Sequence, residues 1–143
     1  MRDLAVIFSA LADPTRLDML ALLLRNSELC VCDFVESLGI TQSKASRHLR
    51  YLWNARLLED RRDGLWVYYR ISRSLDPARG KIVKALARVF DERDLTELEG
   101  KLAAWMNRKG PGTACAVPPT KKAAAARLRA KTPKPRTAAE ARR

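Results

Sequence analysis

Residues 32–54 read CDFVESLGITQSKASRHLRYLWN, and the fold turns on the glycine in the middle. Before it, Phe34, Val35 and Leu38 recur at helical spacing and predict a short helix over 32–38. Gly39 ends that helix, because glycine accepts the left-handed geometry of a tight turn between helices. Ile40 reads as a buried turn residue. Thr41 then caps a second helix over about residues 42–54, with Ala45, Leu49, Leu52 and Trp53 turned to the core. The exposed side of that second helix is left with Gln42, Ser43, Lys44, Ser46, Arg47 and Arg50.

Upstream, Leu4, Ile7, Phe8 and Leu11 predict a first amphipathic helix. Asp13-Pro14 follows as a cap and a first-turn proline. The helix it opens runs to about Arg25, with Leu17, Leu20, Ala21, Leu23 and Leu24 on one broad face. Downstream, LLEDRR (57–62) and LWVYYRI (65–71) are two β-rich runs joined by Asp63-Gly64, a hairpin signal. A last helical pattern covers 77–108 with a break in it, carrying Ile82, Leu86, Val89, Phe90, Leu98, Leu102, Trp105 and Met106.

Helix, turn, helix, hairpin is the order of a winged helix-turn-helix, mainly α with one β-hairpin. In such a unit the second helix fits the major groove of DNA, and its exposed side chains meet bases and phosphates. Those side chains are Gln42, Ser43, Lys44, Ser46, Arg47 and Arg50, with Arg61 and Arg62 of the hairpin beside them. His48, the single histidine, reads as a contact to the DNA backbone or as packing. Trp66, Tyr68 and Tyr69 read as core and cross-strand pairs, and Trp105 as interface packing.

Charge divides the chain. Residues 1–107 hold 17 Lys and Arg against 15 acids, whereas residues 108–143 hold 11 against Glu140 alone. The body is nearly neutral and the tail strongly basic, which suits a polyanion partner. From Gly110 the composition turns to Pro, Ala, Lys and Arg, low in complexity and poor in core-forming residues. The expected division is therefore a DNA-binding and dimerisation domain over 1–108 and a basic, disordered tail over 109–143. The start of the chain lacks the greasy run of a signal peptide, and no stretch approaches the roughly 18 apolar residues of a membrane span. These features predict a cytoplasmic protein. Three cysteines, Cys30, Cys32 and Cys115, argue against a disulfide framework.

The segments ALADPTRLDMLALLL, ELCVCDFVESLGITQSKASRHLRYL and LLEDRRDGLWVYYRIS together resemble the ArsR/SmtB family of metal-sensing repressors, over about residues 4–107. Within that family ELCVCD resembles the arsenite-responsive repressors and the cadmium/lead sensors. The resemblance implies a homodimer held by its first and last helices, binding double-stranded operator DNA and released by an ion at Cys30 and Cys32. Soft thiolates suit soft, thiophilic ions. By the same resemblance As(III) and Sb(III) take three sulfurs, and the arsenite sensors often place the third on the same helix, where this chain has Val35. Cys115, a small-molecule thiol or no third ligand remain open.

Cadmium/lead sensors add cysteines from an N-terminal arm, and zinc sensors use His and carboxylates on the last helix. This chain has no cysteine before Cys30 and no histidine on its last helix, which favours As(III) or Sb(III) as inducer, with no organic cofactor. A Cd/Pb/Zn-type sensor of the same family is the alternative. Two further classes stand against a repressor: a thiol-dependent enzyme, and an architectural protein binding DNA without sequence preference. An enzyme is disfavoured because redox pairs are usually C-x-x-C and no paired acid and base is evident.

Overall fold

A computed structural model describes residues 1–109. The order is α1 (Arg2–Leu11), α2 (Pro14–Arg25), β1 (Leu29–Cys30), α3 (Val31–Leu38), α4 (Gln42–Asn54), β2 (Leu58–Asp63), β3 (Trp66–Ile71), α5 (Pro77–Asp91) and α6 (Thr96–Lys109). Local chemistry sets the boundaries. Asp13 caps α2 by accepting from Arg16 N at 3.0 Å, with Pro14 in the first turn. Thr41 Oγ1 caps α4 by accepting from Lys44 N at 3.2 Å. Asp76 Oδ1 caps α5 through Ala78 N and Arg79 N, again ahead of a proline.

Gly39 closes α3 with φ of +62°, so the inter-helix turn is built as the glycine predicts. The chain leaves α4 through Arg56, whose φ of +59° is a left-handed conformation that a side chain makes uncommon.

The sheet is antiparallel in the order β1-β3-β2. Leu58 to Asp63 pair with Ile71 back to Trp66, so the two-residue turn is Gly64-Leu65 rather than Asp63-Gly64. Gly64 alone carries the positive φ, +58°. Strand β1 is an addition to the sequence-based expectation: Leu29 pairs with Tyr69 and Cys30 with Tyr68. Two residues have no periodicity to detect, and only the register with β3 defines them.

The core is continuous from α1 to α6. Ile7, Met19, Leu20, Leu29, Phe34, Leu49, Leu52 and Leu57 are all buried within it, and Val83, Phe90 and Leu102 extend it under α5 and α6. Trp53, expected inside, is instead 40% exposed. Its indole donates to Asp60 Oδ1 at 2.8 Å, which satisfies its polar edge at the rim of the sheet. The long C-terminal pattern is two helices, α5 ending at Asp91 and α6 beginning at Thr96, whose N donates to Asp94 Oδ1 at 3.0 Å. Arg79 staples three elements: it donates to the Ala55 carbonyl at 2.7 Å, to both carboxylate oxygens of Asp3, and to Asp76. Among the described residues no helix is long and apolar enough to cross a membrane.

Candidate ion site and nucleic-acid interface

Cys30 ends β1 in an extended conformation and is at the same time the N-cap of α3. Cys32 lies in the first turn of α3. Within a regular helix residues two apart point to nearly opposite sides, but the extended backbone at Cys30 removes that restriction. The two sulfurs converge with the helical turn intact, and they are joined as a disulfide with Cα atoms 5.5 Å apart. The sequence-based helix over 32–38 leaves Cys30 outside it, and the structure likewise keeps Cys30 extended, as the N-cap. Strand pairing with Tyr68 is what turns Cys30 inward to its neighbour.

Asp33 completes the cluster. Its side-chain oxygen lies with the two sulfurs in a group whose ligand atoms are all within 4.8 Å of one another, all buried. The carboxylate is 1% exposed and is heavily partnered. Oδ2 accepts from Cys30 N at 2.8 Å, closing the cap of α3. Oδ1 accepts from Trp105 Nε1 at 2.9 Å and from Lys109 Nζ at 2.9 Å. Lys109 Nζ also lies 3.7 Å from Cys30 Sγ. Trp66, Tyr68 and Trp105 pack on the cysteines. Trp105, expected at an interface, packs on these cysteines within the chain itself.

Asp33 and Lys109 were not among the residues singled out by sequence, and Trp105 was read only as interface packing. Asp33 was visible as a first-turn acid three residues after the cap. The other two lie more than 70 positions away along the chain and left no local signal. Cys115 lies outside the described residues, as does the basic tail.

The second face belongs to α4. Ser43, Lys44, Ser46, Arg47 and Arg50 are exposed, Gln42 is half-buried, and they follow one side of the helix. Arg62 of β2 joins Ser46, Arg47 and Arg50 in lining the groove between α4 and the hairpin. Arg61, next along the strand, faces the opposite side of the sheet. Its Nε and Nη2 donate to Glu28 at 3.1 and 2.6 Å, its Nη1 donates to Asp63 at 3.3 Å, and it lies 4.8 Å from the Tyr68 ring centroid. The Arg61 guanidinium holds the Glu28 carboxyl below its usual range. His48 turns away from the exposed row and sits 3.7 Å from Asp13. Burial pushes its pKa down, against the opposing pull of Asp13.

A helix-turn-helix whose second helix exposes a cationic row beside a β-hairpin wing defines a winged-helix DNA-binding transcription regulator. A profile described as bacterial regulatory protein, arsR family, matches residues 13–60. The chain is 42% identical over 87 residues to the arsenical resistance operon repressor of Escherichia coli K12, covering 61% of this chain and 74% of that one. It belongs to the ArsR family of transcriptional regulators and is related to arsenic resistance regulators.

The arsenic resistance transcriptional regulator ArsR1 of Pseudomonas putida is 50% identical over 66 residues, which are 46% of this chain and about half of that one, 52%. Among solved structures, the homodimeric winged helix-turn-helix DNA-binding domain Mb0332 of Mycobacterium bovis is 30% identical. It covers 65% of this chain and 82% of its own length, with a TM-score of 0.54.

Proposed function

We propose that this protein is a homodimeric, cytoplasmic repressor that holds double-stranded operator DNA and leaves it when As(III) or Sb(III) binds Cys30 and Cys32. The observation that carries the reading is the convergence of two buried sulfurs at the N-cap of α3. That cap is roughly two helical turns from the Gly39 turn that aims α4. The relatives in Escherichia coli and Pseudomonas putida are named for arsenic or arsenical resistance, which supports the same ion class. Once the disulfide has been opened by a thiol reductant, two soft sulfurs suit a thiophilic ion, and the absence of histidine from the described cluster disfavours zinc.

On DNA, Gln42, Ser43, Lys44, Ser46, Arg47 and Arg50 face the major groove, and Arg62 approaches the backbone from the wing. Arg61 and His48 stand further from the duplex: the first is held by Glu28 and the second is turned towards Asp13. Residues 110–143 add cationic contacts to phosphate without choosing sequence, and Cys115 is a further sulfur for the ion. Ion binding and DNA binding oppose one another by the same coupling energy in both directions.

The test is operator binding on DNA from the protein's own promoter region, with and without arsenite, for wild type and for Cys30→Ser and Cys32→Ser. Both variants are expected to fold, bind the operator and stay bound at arsenite concentrations that release wild type. Release of either variant at the wild-type concentration rules the site out.

A further inference from the structure

Two sulfurs leave a trivalent ion with one position unfilled, and no third sulfur is present in the described pocket. Val35, one turn further along α3, has none to offer. The remaining carboxylate, Asp33, is already accepting from three donors: Cys30 N, Trp105 Nε1 and Lys109 Nζ. What faces the sulfurs from α6 is therefore not a ligand but a pair of hydrogen-bond donors. An ammonium and an indole N–H have no lone pair for a metal, and both serve an oxygen. Lys109 is 9% exposed and lies 3.7 Å from Cys30 Sγ. Donors this well shielded discriminate strongly between a partner that accepts a hydrogen bond and one that does not.

We infer that Lys109 and Trp105 select the inducer by donating hydrogen bonds to the one oxygen that arsenic keeps after Cys30 and Cys32 have replaced its other two. This rests on the ion-binding reading above. With the disulfide first reduced to two thiols, the step is As(OH)3 + 2 RSH → (RS)2As–OH + 2 H2O. Two As–O bonds break and two As–S bonds form. Each thiol proton leaves with a departing hydroxide as water, and nothing is oxidised or reduced. The retained hydroxyl shares donors that now serve Asp33 Oδ1: the ammonium has three N–H bonds, of which that oxygen takes one. Methylarsonous acid undergoes the matching exchange, CH3As(OH)2 + 2 RSH → CH3As(SR)2 + 2 H2O, but presents a methyl group where arsenite presents the hydroxyl. It makes the same two sulfur bonds and gains nothing from Lys109 or Trp105.

The experiment uses the full chain with its thiols held reduced by a phosphine and labelled DNA from its own promoter region. Half-release concentrations are measured by fluorescence anisotropy for arsenite and for methylarsonous acid. Wild type is compared with Lys109→Met, Lys109→Arg and Trp105→Phe. The arsenite concentration is expected to rise at least about tenfold in Lys109→Met, the loss of one shielded, charge-assisted bond, and about fivefold in Trp105→Phe, which loses a neutral one. For methylarsonous acid the rise is expected to stay under about threefold, and Lys109→Arg is expected to recover most of the arsenite response. Equal shifts for the two arsenicals, or none, overturn the inference and leave Lys109 and Trp105 as packing. A wild type released by neither arsenical overturns the ion-binding reading itself. Should Lys109→Met fail to fold, Trp105→Phe carries the same comparison, since the ring that packs on the cysteines is kept.

Discussion

Replacing Arg79 by Met tests whether one buried side chain joins the first helix, the end of the recognition helix and the fifth helix. Arg79 is 3% exposed, and its Nε donates to the carbonyl of Ala55, itself 1% exposed. Its ion partners are in a different setting: the side chain of Asp3 is 74% exposed and that of Asp76 is 43% exposed. Water solvates both carboxylates once the guanidinium is gone, so they add little to the loss. The Ala55 carbonyl has no such escape, and stranding a buried acceptor costs about 1–3 kcal/mol. Met retains most of the aliphatic packing of the stem. The expected loss is therefore about 2 kcal/mol, or roughly 8–16 °C in melting temperature for a body of this size. Urea unfolding at fixed protein concentration measures it, with the slope expected to hold and the midpoint to fall. Arg79→Lys is expected to fall between the two, because a lysine keeps the charge and loses the fork. A loss below about 0.5 kcal/mol in Arg79→Met, or equal losses in Met and Lys, would refute the assignment of the cost to Ala55.

The same cluster sets an acid limit. Hydrogen bonds from Arg79 hold Asp3 and Asp76 below the ordinary carboxylate value of 3.8. A lowered folded pKa means stability fully present above the unfolded value and lost as pH falls through the folded one. Asp76→Asn, which keeps the helix cap, is expected to flatten the fall in stability below pH 3.8, and an unchanged acid profile counts against it. Thr41→Ala removes the acceptor for Lys44 N and is expected to cost about 1 kcal/mol, read as a lower urea midpoint. No change there would mean that Thr41 does not cap α4 in solution.

The helical body was legible because its signals are local. Gly39 needs a left-handed turn, Thr41 and Asp13 cap, and Leu49 and Leu52 repeat at 3.6. The Cys30-Val31-Cys32 unit was legible for the same reason. Its surroundings were not. Lys109 and Trp105 reach Asp33 only after α6 has docked on α3, and a contact between residues so far apart leaves no periodicity. Trp53 looked like core by its place on α4, but its indole found Asp60 at the rim. Arg61 and Arg62 read alike as wing cations. The strand's alternation sent one to Glu28 and the other to the groove beside α4.

Tyr68 is the register partner of both Cys30 and Arg61, so the strand at the middle of the sheet is a common beam for the ion site and the wing. Cys30 is also where α3 begins, and α3 leads through Gly39 to the recognition helix. A shift of that one residue therefore has two load paths, one along the helices and one across the hydrogen-bonded strands. The paths differ in stiffness. Strands β2 and β3 are laced together over six pairs and move as a plate, whereas the helical path bends at a single glycine. On this contrast, tilt is expected to be absorbed at that hinge while the plate carries its hairpin along unchanged in shape. The two surfaces that line the groove beside α4 are thus displaced by different amounts for the same push, and the groove alters its width instead of merely its position.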